Sequence, residues 1–370
     1  MTKYILKRLG LILISLFIIL ILTFFLMDLM KGYPTALSGL TGEADSGGPK
    51  NASSADNWKA FLDMPVFTRF VDFIKGIFIG KHDVTVILKD GSSTKLAIGR
   101  FGVIFDPTHK DNSLNISKVF FGPLKYSIMI TLPAFVLSTI LGITLGFIAG
   151  YKRGKWQDTL INVFVMFFVA VPSFVLAILF LILGKLGKMP IAFDESLGTA
   201  YLIKSLIIPV LVLTLGGIAT LTYYTRNEVV EILKSDFVSI ARAKGLNEMQ
   251  VLKRHIFRNA SIPLVSIIIP SFITLLMGSF IIEIFFAVPG TSSLIVNSVS
   301  AKEIYVIEFS ILFFTTLSLL ASLLVDVLYV VIDPRIKIAQ SQKMSIYKKM
   351  KLSLKRRNKY KNATLAKGDS

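Results

Sequence analysis

The 370-residue chain contains no cysteine. Disulfides, thiolate metal sites and cysteine nucleophiles are therefore excluded. Histidine is scarce. His82, His109 and His255 are scattered, none sits in an H-E-x-x-H or comparable metal spacing, and each reads as structural. No G-x-x-x-x-G-K-[ST] loop occurs, so nucleotide is not bound by that route. Acidic residues are also few, with 23 Asp and Glu against 41 Lys and Arg and a net charge of +18. What the chain has in excess is apolar side chain, at 53% of residues and a mean hydropathy of +0.68. No soluble domain of ordinary composition looks like this.

The apolar residues gather into runs near the roughly 20 residues that cross a bilayer as helix. They predict about six spans, at 9–30, 124–150, 160–184, 203–224, 264–288 and 307–332. Continuous runs favour helices over barrel strands, which are shorter and alternate. The basic start resembles a signal peptide, but its apolar run is too long and lacks an A-x-A site, so it reads as a retained span.

Charge placement orients the bundle. Lys3, Lys7 and Arg8 precede the first span, and Lys152, Arg153 and Lys155 separate the second and third. The segment 226–258 and the tail after Asp333 are strongly basic too. All four read as cytoplasmic, which puts both termini inside. The tail, 335–370, reads as a solvated extension held near anionic lipid; nucleic acid is not needed to explain it.

Segment 31–123 is far longer than a connector and predicts a small extracytoplasmic insertion. Its 41–57 stretch reads as a linker. Trp58 to Gly80 has helically spaced apolar residues and predicts one amphipathic helix, lying on the membrane surface or on the spans. Two β-prone runs around Asp90-Gly91 predict a hairpin over 84–98, which could contact a partner or merely brace the fold. Pro133, Pro172, Pro209 and Pro270, with Gly142, Gly146, Gly216, Gly217 and Gly278, read as kink and close-packing residues. Glu283 and Asp326 lie near or within spans. They read as packing anchors rather than a proton or cation relay, since no run of intramembrane acids accompanies them.

The segment 235–263 is a basic loop with internal order. Ser235 or Asp236 can cap a short helix that Gly245 ends in left-handed conformation. Asn247 and Gln250 can form a capping box on a second helix, and Pro263 then opens the next span.

Within that loop, Ile240-Ala241-Arg242-Ala243-Lys244-Gly245-Leu246, then Arg254-His255 and Arg258-Asn259-Ala260 up to Pro263, resembles the EAA loop of ABC-importer permeases. The long gap from glycine to proline is similar to that of the oligopeptide/dipeptide/nickel family. Other landmarks agree: the MTKYILKRLG start, Lys31-Gly32-Tyr33-Pro34, the 282–291 segment with its E-x-x-F-x-x-P-G pattern, Asp326-Val327-Leu328-Tyr329 and Asp333-Pro334-Arg335. Lys302-Glu303-Ile304-Tyr305 departs from the usual basic-Asp-Tyr-Pro stretch, and the first outside loop is enlarged.

The resemblance implies an all-α membrane protein of type I permease fold, with a small α+β extracytoplasmic insertion after the first helix. Residues 1–30 would be the N-terminal end and first span, 31–123 the insertion, 124–334 the permease core with its coupling loop at 226–263, and 335–370 the tail. It implies a non-catalytic transport subunit of the cell membrane that imports oligopeptides or dipeptides. Its partners would be a homologous second permease, two ABC ATPases, an extracytoplasmic substrate-binding protein and membrane lipid. This chain would bind no cofactor; ATP and Mg would reside on the ATPases. Asp236, Ala241, Arg242, Ala243, Lys244, Gly245, Leu246, Arg254 and His255 would couple to an ATPase. The alternatives are a self-sufficient ion-coupled transporter or channel, and a membrane-anchored scaffold.

Overall fold

In the computed structural model the described residues are 2–29, 52–88, 91–105, 113–332 and 353. Expectations for 31–51, Asp90, His109 and the tail beyond 332 lie outside them. The chain divides into two compact units, Met1–Leu323 and Leu324–Ser370. In the second, the described part is the last turns of the final helix, where Asp326 is half-buried, and residue 353.

Helix α1 spans Thr2–Asp28. Two helices of the insertion follow, α2 (Ala52–Leu62) and α3 (Val66–Ile79), then strands β1 (His82–Ile87) and β2 (Ser93–Ile98). The long helix α4 (Ile116–Tyr151) returns to the bundle. Next come α5 (Trp156–Ala170), α6 (Ser173–Leu186) and the 35-residue α7 (Thr199–Leu233). The basic loop holds α8 (Asp236–Ala243) and α9 (Glu248–Val251), which passes through a π turn at Leu252–Phe257 into α10 (Arg258–Gly278). Helices α11 (Phe280–Phe285), α12 (Thr291–Ala301) and α13 (Ile304–Ile332) complete the chain.

Among the described residues, five helical stretches are long and apolar enough to cross a membrane, or six if a bent pair counts as one span. That pair corrects the run at 160–184. It is not one rod but α5 and α6, bent by 101°. Pro172 has no N–H to continue the ladder, and the residue before a proline is pushed out of helical conformation; Val171 accordingly takes φ −79°, ψ 121°. Pro263 also differs from expectation, lying inside α10 rather than opening it. The fifth apolar stretch is helical from Glu248 to Phe285. In the insertion, the single helix expected over 58–80 is broken before Pro65, and 52–57, read as linker, is helical. The segment 289–306, between the last two predicted spans, carries α12.

The most extensive helix–helix contact among the described residues joins α4 to α7. Residues Ser138, Gly142, Gly146 and Gly150 recur every fourth position and meet Gly217, Leu221, Thr225 and Val229, also every fourth. A Cβ added to Gly142 would lie 2.7 Å from Leu221 Cβ, and one on Gly150 would lie 2.7 Å from Val229 Cβ. A stripe of small residues lets backbones approach where lipid supplies no hydrophobic drive between helices. The Thr222 hydroxyl donates to the Gly142 carbonyl at 3.2 Å, using that closeness.

The insertion docks on the bundle through one apolar core. The hairpin is antiparallel, with Val84 opposite Leu96 and Val86 opposite Thr94. Val84, Val86, Leu96 and Ile98 are buried on its inner face, the alternation a half-buried strand requires. Phe70 and Phe73 of α3 pack on Phe24 of α1, with ring centroids 5.3 and 5.5 Å apart. Tyr305 stacks on Phe73 at 5.9 Å, and the Glu303 carboxylate accepts the Phe105 N–H at 3.0 Å. The segment that departs from the family pattern, Lys302 to Tyr305, is thus where the insertion meets the core.

Candidate functional site

The knuckle at 235–263 is built by local signals. Asn247 accepts the Gln250 N–H at 2.8 Å while Gln250 Oε1 accepts the Asn247 N–H at 3.0 Å, a complete capping box. Gly245 takes φ +80° with open space around its missing Cβ, so the turn and not crowding requires glycine. Ser235 stands at the N-cap of α8 as expected, but its side chain makes no cap bond there; the hydroxyl donates to the Ile232 carbonyl of α7 at 2.5 Å. Asp236 in the first turn complements the positive helix end.

Beneath the knuckle sits a small core of Val229, Val238, Ala241, Val251 and Ile256. It draws from α7, α8, α9 and the π turn, so α8 is pinned between the ends of two long helices. The nine residues expected to couple therefore divide. Ala241 is buried and Leu246 half-buried against this core, so they support the knuckle from within. Asp236, Arg242, Ala243, Lys244 and Gly245 are exposed. Arg254 is exposed and His255 half-buried in the π turn, where the His255 carbonyl accepts from Asn259 Nδ2 at 2.6 Å. The sequence reading omitted Phe237 and Ile240, which share the outer face of α8 with Lys244 and are exposed. Their three-residue spacing was the available signal. Arg242 reaches Glu248 at 3.4 Å, and Tyr151 at the end of α4 donates to the same carboxylate.

A second tie braces the same end of the bundle. Arg226 of α7 makes a two-pronged pair with Asp158 of α5, at 2.7 and 2.8 Å. Asp158 also accepts from the Gly154 N–H at 2.9 Å and Asn162 Nδ2 at 2.7 Å. Four donors on a buried carboxylate satisfy the charge-pairing that burial demands.

Deeper in the bundle, a cavity of about 520 Å³ opens among α4, α5, α6, α7 and α10. Its polar lining comes from hydroxyls, including Ser138, Thr220, Ser266, Ser271 and Thr274, and among the described residues none that lines it is charged. The bend at Val171 and Ser173 forms part of its wall. Gly216 also faces it, with nothing within 4 Å of where a Cβ would stand.

Glu283 is fully buried and anchors a turn. Its carboxylate accepts from the Ser279 hydroxyl at 2.6 Å and from the Ser292 N–H at 3.0 Å, at the start of α12. Ser127 accepts the neighbouring Thr291 N–H at 2.9 Å. The E-x-x-F-x-x-P-G segment is thus a closed turn, and Glu283 is the packing anchor expected of it. Glu308 was missed by the sequence reading. It is buried on α13 and accepts from the Thr23 hydroxyl of α1 at 2.6 Å.

Long apolar helices, a largely apolar cavity dotted with hydroxyls and a knuckle seated on its own small core fit a membrane-embedded transport subunit. Residues 142–338, more than half the chain, match the family model for the binding-protein-dependent transport system inner membrane component. The chain belongs to that family and is a permease subunit of a binding-protein-dependent importer. Among curated relatives, it is 33% identical to the oligopeptide transport system permease protein OppB of Mycoplasma genitalium, over 95% of this chain and 81% of that one. It is 31% identical to the dipeptide transport system permease protein DppB of Lactococcus lactis, over 91% of this chain and all of that one. Against OppB of Salmonella typhimurium the identity is 29%, over 91% of this chain and all of that one.

Proposed function

We propose that this chain imports peptides as one of two homologous permeases, driven by two cytoplasmic ATPases and fed by an extracytoplasmic binding protein. The observation that carries the coupling role is the pinning of α8 by Val238 and Ala241 between α7 and the helix that leads into α10. A pinned helix transmits displacement; a loose one absorbs it. Phe237, Ile240 and Lys244 supply an apolar and cationic face for an ATPase cleft. The cavity forms this subunit's half of the path. Peptide cargo is supported by the relatives' names and by an uncharged wall, which suits a solute of varied side-chain charge. Both termini lie in the cytoplasm. The chain itself catalyses nothing, and ATP and Mg are held by its partners.

Cross-linking tests the coupling role. This chain lacks cysteine, so Ile240→Cys gives it a single thiol, placed in a complex whose other subunits have been freed of reactive cysteine. It is expected to cross-link to an ATPase subunit, with a yield that changes on ATP addition. Peptide uptake by this chain alone in vesicles, driven by an ion gradient without ATP, would overturn the reading.

A further inference from the structure

Helix α3 is apolar on two faces. One is used: Phe70 and Phe73 pack on α1 and the hairpin, and Arg69 pairs with Asp28 at the end of α1. The other is not. Phe67, Phe78 and Ile79 are 66%, 81% and 72% exposed, with half-buried Val71 among them, while Ile74 packs back on the buried core. Three such side chains on a 14-residue helix are out of place against water.

Two observations identify what covers them. First, α3 packs directly on a helix that is itself long and apolar enough to cross a membrane. The first span exposes Leu22, Leu26 and Leu29 beside Phe25, and Phe25 contacts Phe70 of α3 with ring centroids 5.9 Å apart. Second, the face is rimmed by cations. Lys75 is exposed beside its partner Asp72, and Lys81 and Arg100 are exposed where α3 ends. Arg100 Nη2 comes within 3.8 Å of where a Gly80 Cβ would stand. Exposed Asp83 is the acidic residue nearest in sequence to this rim. Aromatic and aliphatic side chains bordered by Lys and Arg are the pattern of a helix lying in the bilayer interface.

We propose that α3 is an interfacial helix. Phe67, Phe78 and Ile79 insert among acyl chains, while Lys81 and Arg100 meet lipid phosphates. The insertion is thereby held down on the bilayer beside the first span. This rests on α1 crossing the membrane, not on the cargo or on the ATPase contact.

Site-directed spin labelling of the whole complex decides it. Phe67→Cys, Phe78→Cys and the hairpin control Thr85→Cys would each be labelled in nanodiscs containing phosphatidylglycerol. Collision with oxygen, which partitions into lipid, is compared with collision with a water-soluble nickel chelate. At positions 67 and 78 the oxygen-to-nickel ratio should be several times that at 85. Ready access of the nickel chelate to 67 and 78 would overturn the proposal, since the face is then in water. Exclusion of both reagents would overturn it equally, since a protein partner then covers the face. Should the cysteine variants fail to assemble, Phe78→Trp offers the same decision. Its added fluorescence should be quenched by lipids brominated on the acyl chain, and unquenched emission would reject lipid contact.

Discussion

Gly142 and Leu221 sit so close that a Cβ on the first would be 2.7 Å from the Cβ of the second. This contact is one step of a four-residue ladder along α4 and α7. Gly142→Leu should therefore force the helices apart, at the overpacking cost of about 1–3 kcal/mol or more. Gly216→Ala, where nothing stands within 4 Å, should change stability by no more than about 0.5 kcal/mol. Thermal unfolding of the detergent-solubilised complex compares the two. Equal effects would show that the ladder is not a tight contact.

The Asp158–Arg226 pair is expected to behave as a buried bridge. Removing one partner by Arg226→Ala strands a buried carboxylate and should cost about 3 kcal/mol, because only the Gly154 and Asn162 donors remain. Removing both charges, in Asp158→Asn with Arg226→Met, should cost clearly less than the sum of the single changes. A double-mutant cycle on thermal stability provides the check; strict additivity would deny the coupling.

Glu283 closes the turn onto α12 by accepting from Ser279 and Ser292. Glu283→Ala should leave the Ser292 N–H unpaired in a fully buried site, at about 1–3 kcal/mol, while the Ser279 hydroxyl keeps the Leu276 carbonyl as its acceptor. Glu283→Gln retains one acceptor oxygen and should lose less. Amide hydrogen exchange at 290–293 is the direct readout, and unchanged protection in Glu283→Ala would remove the anchor role.

At the knuckle, backbone geometry should matter more than charge. Gly245→Val meets no neighbour, yet a β-branched side chain at φ +80° is strained by about 1–2 kcal/mol. Transport per ATP hydrolysed should fall. Asn247→Ala should lose the capping box, at about 1 kcal/mol. By contrast, Glu248→Gln, which breaks an exposed pair at 3.4 Å, should cost under about 1 kcal/mol. If Glu248→Gln uncouples transport while Gly245→Val does not, the stiffness argument fails.

Legibility followed sequence distance. The capping box at Asn247 and Gln250 and the turn at Gly245 were readable because each involves residues a few positions apart. The hairpin was readable for the same reason. The bend at Pro172 was only half readable: proline marks a break, but Pro133, Pro209 and Pro270 all lie inside continuous helices. Whether a helix stops or continues past a proline depends on neighbours that can satisfy the freed carbonyls. Glu308 escaped notice because its partner, Thr23, is 285 positions away.

The sequence by itself determined that this chain lives in a membrane, which end of its loops carries positive charge, and where a capped, glycine-turned knuckle forms. Those properties follow from composition and from bonds between near neighbours. Only the tertiary structure decided that Ala241 and Leu246 support the knuckle while Phe237 and Ile240 face outward. It alone set the α4–α7 ladder, the 101° bend and the docking of the insertion on Glu303 and Tyr305. The reason is physical: burial and close approach are properties of pairs of surfaces, and a single stretch of sequence holds just one of the two.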